Sequence, residues 1–324
     1  MNQSVTVRVP AKINLQLAVG PLRPDGYHDL VTVFHAVDLC DEVTVTPAGK
    51  DSGQGAGKDS DSDADSVAVS GEGAAEVPAD GDNLAVRAVR ALRAKAGIAG
   101  NVRIRITKRI PVAAGMAGGS ADAAGALVAC DELWGTGLSA AELSALAARL
   151  GSDVPFALLG GTAVGRGRGE QLSPLAGDSA AMYHWVLAYA EGGLSTPLVY
   201  KTLDQLRDGH DVPAPELSDE LVEALRAGDP FRLGRALGND LQAPALSLFP
   251  ALNETLAAGR ALGSLGALVS GSGPTCFFLA RDAEHAASLA ARMREAGACR
   301  SATVATGPAA GASVITTEDA TRHG

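Results

Sequence analysis

The run Pro111-Val112-Ala113-Ala114-Gly115-Met116-Ala117-Gly118-Gly119-Ser120-Ala121 lies between an alternating segment, Asn101 to Thr107, and a proline-free stretch rich in Ala and Leu, Ala123 to Trp134. The first reads as a strand and the second as a helix. Glycines at such a junction let the backbone approach a ligand, because no Cβ stands in the way. The free N–H groups of the first helical turn point into the loop, and the helix dipole favours negative charge there. The chemistry this suits is phosphate binding. Ser120 adds a hydroxyl where a helix cap belongs. A tight turn with no ligand is the alternative reading of the same glycines. The pattern is neither G-x-x-x-x-G-K-[ST] nor, after the first strand, G-x-G-x-x-G, so a Walker-type loop and a dinucleotide-binding domain are both excluded.

A second glycine turn, Gly271-Ser272-Gly273-Pro274-Thr275, separates the apolar runs Gly266 to Ser270 and Cys276 to Ala280. It serves either as a backbone nest for anionic oxygens or as a plain strand-to-strand connection. Lys12 is a lone charge in the run Pro10 to Leu15. It works on a ligand or snorkels to the surface. Asn14, two residues on, shares its face if the segment is extended. Asp153 follows a helix and precedes Pro155 by two residues. Such a carboxylate can be held rigidly as a general base, or it caps the helix that Pro155 begins.

Around these candidates the chain supplies positioning elements. Ser4 to Val9, Val31 to Val37 and Glu42 to Thr46 read as strands, and Asn83 to Ala96 as a helix. Ser139 to Leu150 is a helix with a capping box (Ser139, Glu142) and a stop at Gly151. Gly49 to Ser66 holds almost nothing apolar and reads as an exposed loop. Its acids Asp59, Asp61, Asp63 and Asp65 lack the glycine and terminal Glu of a calcium loop and are expected to be solvated. A composition shift near Ala176 to Tyr183 precedes a strand, Trp185 to Ala190. Leu217 to Gly259 is helical in pieces, Ala283 to Glu295 is a helix and Ser301 to Ala305 a last strand. The tail after Gly311 is expected to fray. Strand, glycine turn, strand, helix, strand makes a small α+β layer.

The 324 residues suit two domains, with 46% hydrophobic but only 4% aromatic residues, so Ala, Val and Leu must fill the cores. A net charge of −10 argues against a nucleic-acid partner and leaves room for an anionic small molecule at a local site. Cys40, Cys130, Cys276 and Cys299 are not in CxxC spacing and read as free thiols of a reducing compartment. No signal peptide and no membrane-spanning run is evident, which gives a cytoplasmic expectation without membrane partners.

Taken together, Pro10-Ala11-Lys12-Ile13-Asn14-Leu15, the loop from Pro111 and Ser270-Gly271-Ser272-Gly273-Pro274-Thr275 resemble the GHMP kinase superfamily in order and separation across nearly the whole chain. Arg23-Pro24-Asp25-Gly26-Tyr27-His28, Leu150 to Phe156 and Gly238-Asn239-Asp240-Leu241 resemble the members that act on a cytidine-diphosphate-linked polyol. The resemblance implies an α+β, two-domain fold with the active site in the interdomain cleft. It implies an ATP-binding domain over residues 1–176, a C-terminal α+β domain over 177–312 and a tail over 313–324. It further implies a monomer or weak homodimer, and ATP-dependent phosphorylation of the 2-hydroxyl of a cytidine-diphosphate-linked methylerythritol. The family's loop often reads Gly-Leu-Gly-Gly-Gly-Ser-Ser-Asn; here Met116, Ala117, Ala121 and Asp122 stand at four of those places.

The resemblance also implies roles. Asp153 is the general base, and the Lys12 ammonium polarises the substrate hydroxyl beside it. Asn14 holds the substrate tail. Tyr27 stacks on cytosine, His28 reads its edge, Tyr200 covers its other face, and Thr196 and Pro197 lie near the diphosphate. Tyr200 is alternatively a half-buried aromatic in a helix turn. Gly271, Ser272 and Gly273 contact substrate. The loop from Pro111 to Ala121 holds ATP with Mg²⁺ bridging its phosphates, Ser120 being the protein ligand expected for the metal, and Asn83 reaches the adenine side.

Overall fold

The computed structural model describes residues 4–48, 64–175 and 181–315. In chain order the elements are β1 (Val5–Leu22), β2 (His28–Pro47), β3 (Ser66–Gly71), α1 (Leu84–Ala96), β4 (Val102–Lys108), α2 (Gly118–Trp134), α3 (Ala140–Leu150), α4 (Val154–Leu159), β5 (Thr162–Gly167) and β6 (Gln171–Pro174). Then follow β7 (Tyr183–Tyr189), α5 (Thr196–Leu206), α6 (Asp219–Ala227), α7 (Pro230–Ala236), β8 (Gly238–Asn239), α8 (Gln242–Leu248), α9 (Ala251–Ala261), β9 (Gly266–Val269), β10 (Cys276–Ala280), α10 (Ala283–Glu295), β11 (Ser301–Gly307) and β12 (Ser313–Val314).

Among the described residues, one sheet runs β12-β1-β2-β4-β3, with β5 and β6 continuing from β2 and β8 beside β1. The other runs β11-β7-β10-β9 and is antiparallel throughout. The two sheets and the helices on them make the α+β fold that the sequence implies.

The expected first strand is far longer than Ser4 to Val9. β1 continues through Lys12, Asn14 and Gln16, because its odd positions Val5 to Leu15 are all apolar and buried against the helices. Polar interruptions on the even positions hid this continuity. Of these, Lys12, Asn14 and Gln16 are buried too, on the opposite face. Likewise Val31 to Val37 and Glu42 to Thr46 are one strand, β2, whose pairing with β1 shifts register between Pro10 and Ala11.

Helix α2 lies tight on this sheet. A Cβ at Gly125 would stand 2.8 Å from Val43 Cγ2, so only small residues allow the approach. This explains the Ala-rich composition of the helix. It begins at Gly118, earlier than expected, with Ala117 at its N-cap in the left-handed region (φ 60°) and no side-chain cap. Ser120 is therefore inside the first turn and is not the cap. The Ser139–Glu142 capping box forms as expected.

Two further expectations need correction. The tail does not fray at Gly311: Ser313 and Val314 pair with Arg8 and Val7 of β1, and Gly311 N is held so closely against Gly160 that no Cβ fits there. Asp65 is not solvated; its side chain is 2% exposed, paired with Arg93 and Arg90, and accepts from Val102 N at 3.1 Å. Residues 49–63, most of the expected loop, lie outside the described residues, as does the expected domain boundary at 176. All four cysteines are free thiols. No helix among the described residues is long and apolar enough to cross a membrane.

Candidate active site

A cleft of about 1010 Å³ is lined by β1 and β2, the loop before α2, the junction of α3 and α4, α5 and the turn between β9 and β10. Its floor is the polar face of β1. Lys12 Nζ donates to Asn14 Oδ1 at 2.7 Å, and Asn14 Nδ2 donates to Thr32 Oγ1 at 2.8 Å. Asp153 Oδ2 lies 3.8 Å from Lys12 Nζ. The lysine side chain is 9% exposed and the aspartate 27%, so the ammonium is desolvated while the carboxylate stays open to the cleft. Burial lowers the Lys12 pKa from its ordinary value, and Asp153 works against that shift. Lys12 does not snorkel. Asp153 occupies the N-cap position of α4, yet its side chain caps nothing. The carboxylate is directed at the lysine instead.

The two glycine turns are one unit. A Cβ at Gly115 (φ 74°) would stand 2.2 Å from Ser270 O and 3.0 Å from Gly273 N. Ser270 Oγ donates to Gly115 O at 3.0 Å, and Lys12 N donates to Met116 O at 3.3 Å. Thus the loop is tied both to the second turn and to β1. The run 271–273 connects β9 to β10 and also forms part of the cleft wall.

Within the loop, Ala113, Ala114, Gly115, Ala117, Gly119 and Ser120 line the cleft. Pro111, Val112, Met116, Gly118 and Ala121 are not brought to it; Pro111, Met116 and Ala121 are buried in the interior. Asn83 is also held away. Its Oδ1 caps α1 by accepting from Ala85 N at 2.9 Å, and its Nδ2 donates to Pro78 O at 2.7 Å. The neighbouring Leu84 reaches the cleft in its place.

Tyr27, His28, Thr196, Pro197 and Tyr200 line the other end. His28 Nδ1 donates to Gly20 O at 2.9 Å, and its ring stacks on Tyr200 with centroids 5.5 Å apart. The Tyr200 face is thus shared with His28 rather than left fully open. Burial and the nearby Asp153 push the Tyr200 hydroxyl above the ordinary tyrosine range. Tyr27 is exposed, with the Arg168 guanidinium 5.2 Å from its ring centroid. Thr196 Oγ1 and Ser272 Oγ are hydrogen-bonded at 2.8 Å. Arg149, Arg168, Lys201 and Asp204 also line the cleft. Sequence reasoning missed them because a charged residue on a helix or hairpin looks like any solvated one.

It also missed a buried ion cluster beneath the glycine loop. Lys108 Nζ bridges Asp41 Oδ2 and Asp122 Oδ2, the latter at 2.8 Å. Asp41 Oδ1 accepts from Arg109 N and Ile110 N. A Cβ at Gly118 would stand 3.2 Å from Lys108 Nζ, which places the ammonium directly under the start of α2. Asp122 Oδ1 is buried without a partner. The departure of Asp122 from the usual loop was the one visible signal. Burial opposes the Lys108 charge, but Asp122 and Asp41 together more than offset it, so its pKa lies above the ordinary value. Burial, with the like charge of Asp41, pushes Asp122 up to about 7 against the pull of Lys108.

A carboxyl with a raised folded-state pKa holds its proton after the unfolded chain has lost it. Stability from this group is therefore present at low pH and declines between its ordinary value of 3.8 and about 7. Asp122→Asn supplies a hydrogen toward Asp41 at every pH. The variant is expected to be about 1–3 kcal/mol more stable than wild type at pH 8, with the gap closing toward pH 4. Thermal unfolding of both proteins across that range measures it; a gap that does not change with pH refutes the assignment.

The glycine loop before α2, the second glycine turn packed on it and the lysine–aspartate pair share one cleft, as the resemblance to the GHMP kinases implies. Residues 83–161 match the GHMP kinases N terminal domain and residues 221–299 the GHMP kinases C terminal domain. Among curated proteins, the chain is 56% identical over 312 residues to the 4-diphosphocytidyl-2-C-methyl-D-erythritol kinase of Streptomyces avermitilis, covering 96% of this chain and 100% of that one. The enzyme of that name from Thermobifida fusca is 56% identical over 313 residues, covering 96% and 98%. A crystal structure of 4-(cytidine 5'-diphospho)-2C-methyl-D-erythritol kinase superposes with a TM-score of 0.70 at 38% identity, over 93% of this chain and 98% of that one. The chain belongs to the GHMP kinases and, within them, to the family of 4-diphosphocytidyl-2-C-methyl-D-erythritol kinases; it is a small-molecule kinase.

Proposed function

We propose that the chain transfers the terminal phosphoryl group of ATP to the 2-hydroxyl of 4-diphosphocytidyl-2-C-methyl-D-erythritol, giving the 2-phosphate and ADP in non-mevalonate isoprenoid precursor synthesis. The observation that carries the chemistry is the Asp153 carboxylate 3.8 Å from the buried Lys12 ammonium, in the same cleft as the glycine cradle. The names of the full-length relatives carry the choice of substrate.

The substrate hydroxyl enters between Asp153 and Lys12. Its proton passes to the Asp153 carboxylate as its oxygen bonds to the γ-phosphorus, and the bond to the ADP oxygen breaks. Lys12 stabilises the charge that develops on the attacking oxygen, in a site dry enough for that charge to be felt. Asn14 fixes the Lys12 head and reaches the substrate tail. The amides around Gly115 to Ser120 hold the triphosphate at the α2 N-terminus. Tyr27, His28 and Tyr200 bind the pyrimidine, with Thr196 and Ser272 beside the diphosphate. The hydroxyl of Ser120, which faces the cleft in the first turn of α2, suits a Mg²⁺ that keeps most of its waters. When bound, that ion neutralises phosphate charge. Asn83 caps the start of α1, the helix that brings Leu84 to the cleft.

An ATP-consumption assay tests this, with purified protein and a panel of the cytidylyl substrate, homoserine and mevalonate. ADP production with the cytidylyl substrate alone is expected. Production with homoserine and none with the cytidylyl substrate would reverse the assignment. Calorimetric ATP binding with no ADP under any substrate would reduce the protein to a nucleotide binder.

A further inference from the structure

The segment Gly238-Asn239-Asp240 stands out in the sequence, and none of its three residues lines the cleft. Its contacts nonetheless converge on the elements that do. β8 runs parallel to β1, with Gly238 opposite Gln16 and Asn239 opposite Leu17. Asp240 N donates to Leu17 O at 2.9 Å, and the Asp240 carboxylate accepts from Val19 N and from Arg207, each at 2.8 Å. Arg207 closes the C-terminal end of α5, the helix that carries Thr196 and Tyr200.

Asn239 reaches the opposite way. Its Nδ2 donates to Val269 O at 2.9 Å and to Gly271 O at 2.7 Å, and its Oδ1 accepts from Leu241 N at 2.9 Å. Both amide hydrogens face carbonyls and the oxygen faces an N–H, so the orientation of the amide is fixed by its partners. The two carbonyls bracket the entry to the second glycine turn. Gly271, at φ 54°, is where that turn meets the catalytic floor: a Cβ there would stand 3.3 Å from Lys12 Nζ and 3.3 Å from Asn14 Oδ1.

We propose that Asn239 is a positioning residue for phosphoryl transfer, whose amide pins the Gly271 turn over Lys12 and Asn14. The inference rests on the reading of Lys12 as a catalytic group. The side chain touches no reacting atom; it sets where the backbone above the reacting atoms stands. Without the two donations, Val269 O and Gly271 O lose their partner and the turn relaxes by a few tenths of an ångström or more. Misplacement on the scale of 1 Å costs about 10²-fold in rate, so a smaller drift costs less but remains measurable. Substrate affinity is spread over the loop, α5 and the pyrimidine end, and is not expected to follow.

The test separates this from a general weakening of the fold. Asn239→Ser removes both donations without adding charge. It is expected to lower kcat per folded molecule by about 10–100-fold while the KM for ATP stays within about threefold. The comparison variant is Gln242→Ala. Gln242 Oε1 accepts from Val269 N at 3.1 Å on the same strand but makes no bond to Gly271. It is expected to lower the melting temperature and keep kcat within about threefold. Asn239→Asp, which keeps the shape and the Leu241 contact, replaces Asn239→Ser if that variant does not fold. Wild-type kcat in the Asn239 variant, or equal kcat losses in Asn239 and Gln242 variants, overturns the proposal. A wild-type protein inactive on the cytidylyl substrate would instead overturn the functional reading on which it rests.

Discussion

Asp153→Asn is expected to lower kcat by about 10²–10⁴, the range for losing a general base, with little change in the KM for ATP. The asparagine keeps the shape beside Lys12 and cannot take the proton. Lys12→Ala is expected to fall as steeply, because the same substitution removes the charge facing the attacking oxygen and the donor to Asn14 Oδ1 at 2.7 Å. The two groups lie 3.8 Å apart and, in the proposed mechanism, act on one hydroxyl as a unit. The double variant should therefore be far less impaired than the product of the single losses. Steady-state kinetics of the four proteins decides it. Full additivity would mean that the residues serve separate steps, and wild-type turnover in Asp153→Asn would remove that carboxylate from the mechanism.

Gly115→Ala carries the second large effect, through packing rather than chemistry. Gly115 has a φ of 74°, where an L side chain costs about 1–2 kcal/mol. Its Cβ would also stand 2.2 Å from Ser270 O and 3.0 Å from Gly273 O, and both neighbours are backbone. Neither can rotate away, so the two glycine turns must separate. Overpacking of this kind adds about 1–3 kcal/mol, for a total loss of about 2–5 kcal/mol. The amides of the cradle move with the loop, so the KM for ATP is expected to rise by about tenfold or more in whatever protein remains folded. Denaturant unfolding and ATP kinetics measure the two parts. A variant within about 0.5 kcal/mol of wild type would show that the turns are not locked together.

Much of the site was legible because its chemistry is local. A glycine run between a strand and a helix suits a bound phosphate through φ freedom and free amides, which need only neighbouring residues. The Ser139–Glu142 box is local in the same way and formed as read. Lys12 was visible as one charge in an apolar run. What stayed hidden was long-range. Asp41, Lys108 and Asp122 come from β2, β4 and α2, and in sequence each looks like an ordinary surface charge. Ser120 fits a cap by composition, but the loop enters α2 three residues earlier, through Ala117 at positive φ. Asn83 has the residue type to meet a base, and the helix start behind it used both ends of the amide.

By itself the order of residues determined which groups carry charge, which can bend the backbone and which must be buried, since those follow from side-chain type and spacing of a few positions. Tertiary structure decided which of them meet. Asp153 caps nothing and faces Lys12 because α4 packs against β1, some 140 residues away along the chain. Gly271 stands over Lys12 and Asn14, and an asparagine outside the cleft donates to its carbonyl. Contacts of this kind depend on loop closure and packing between distant segments, and no short stretch of sequence contains them.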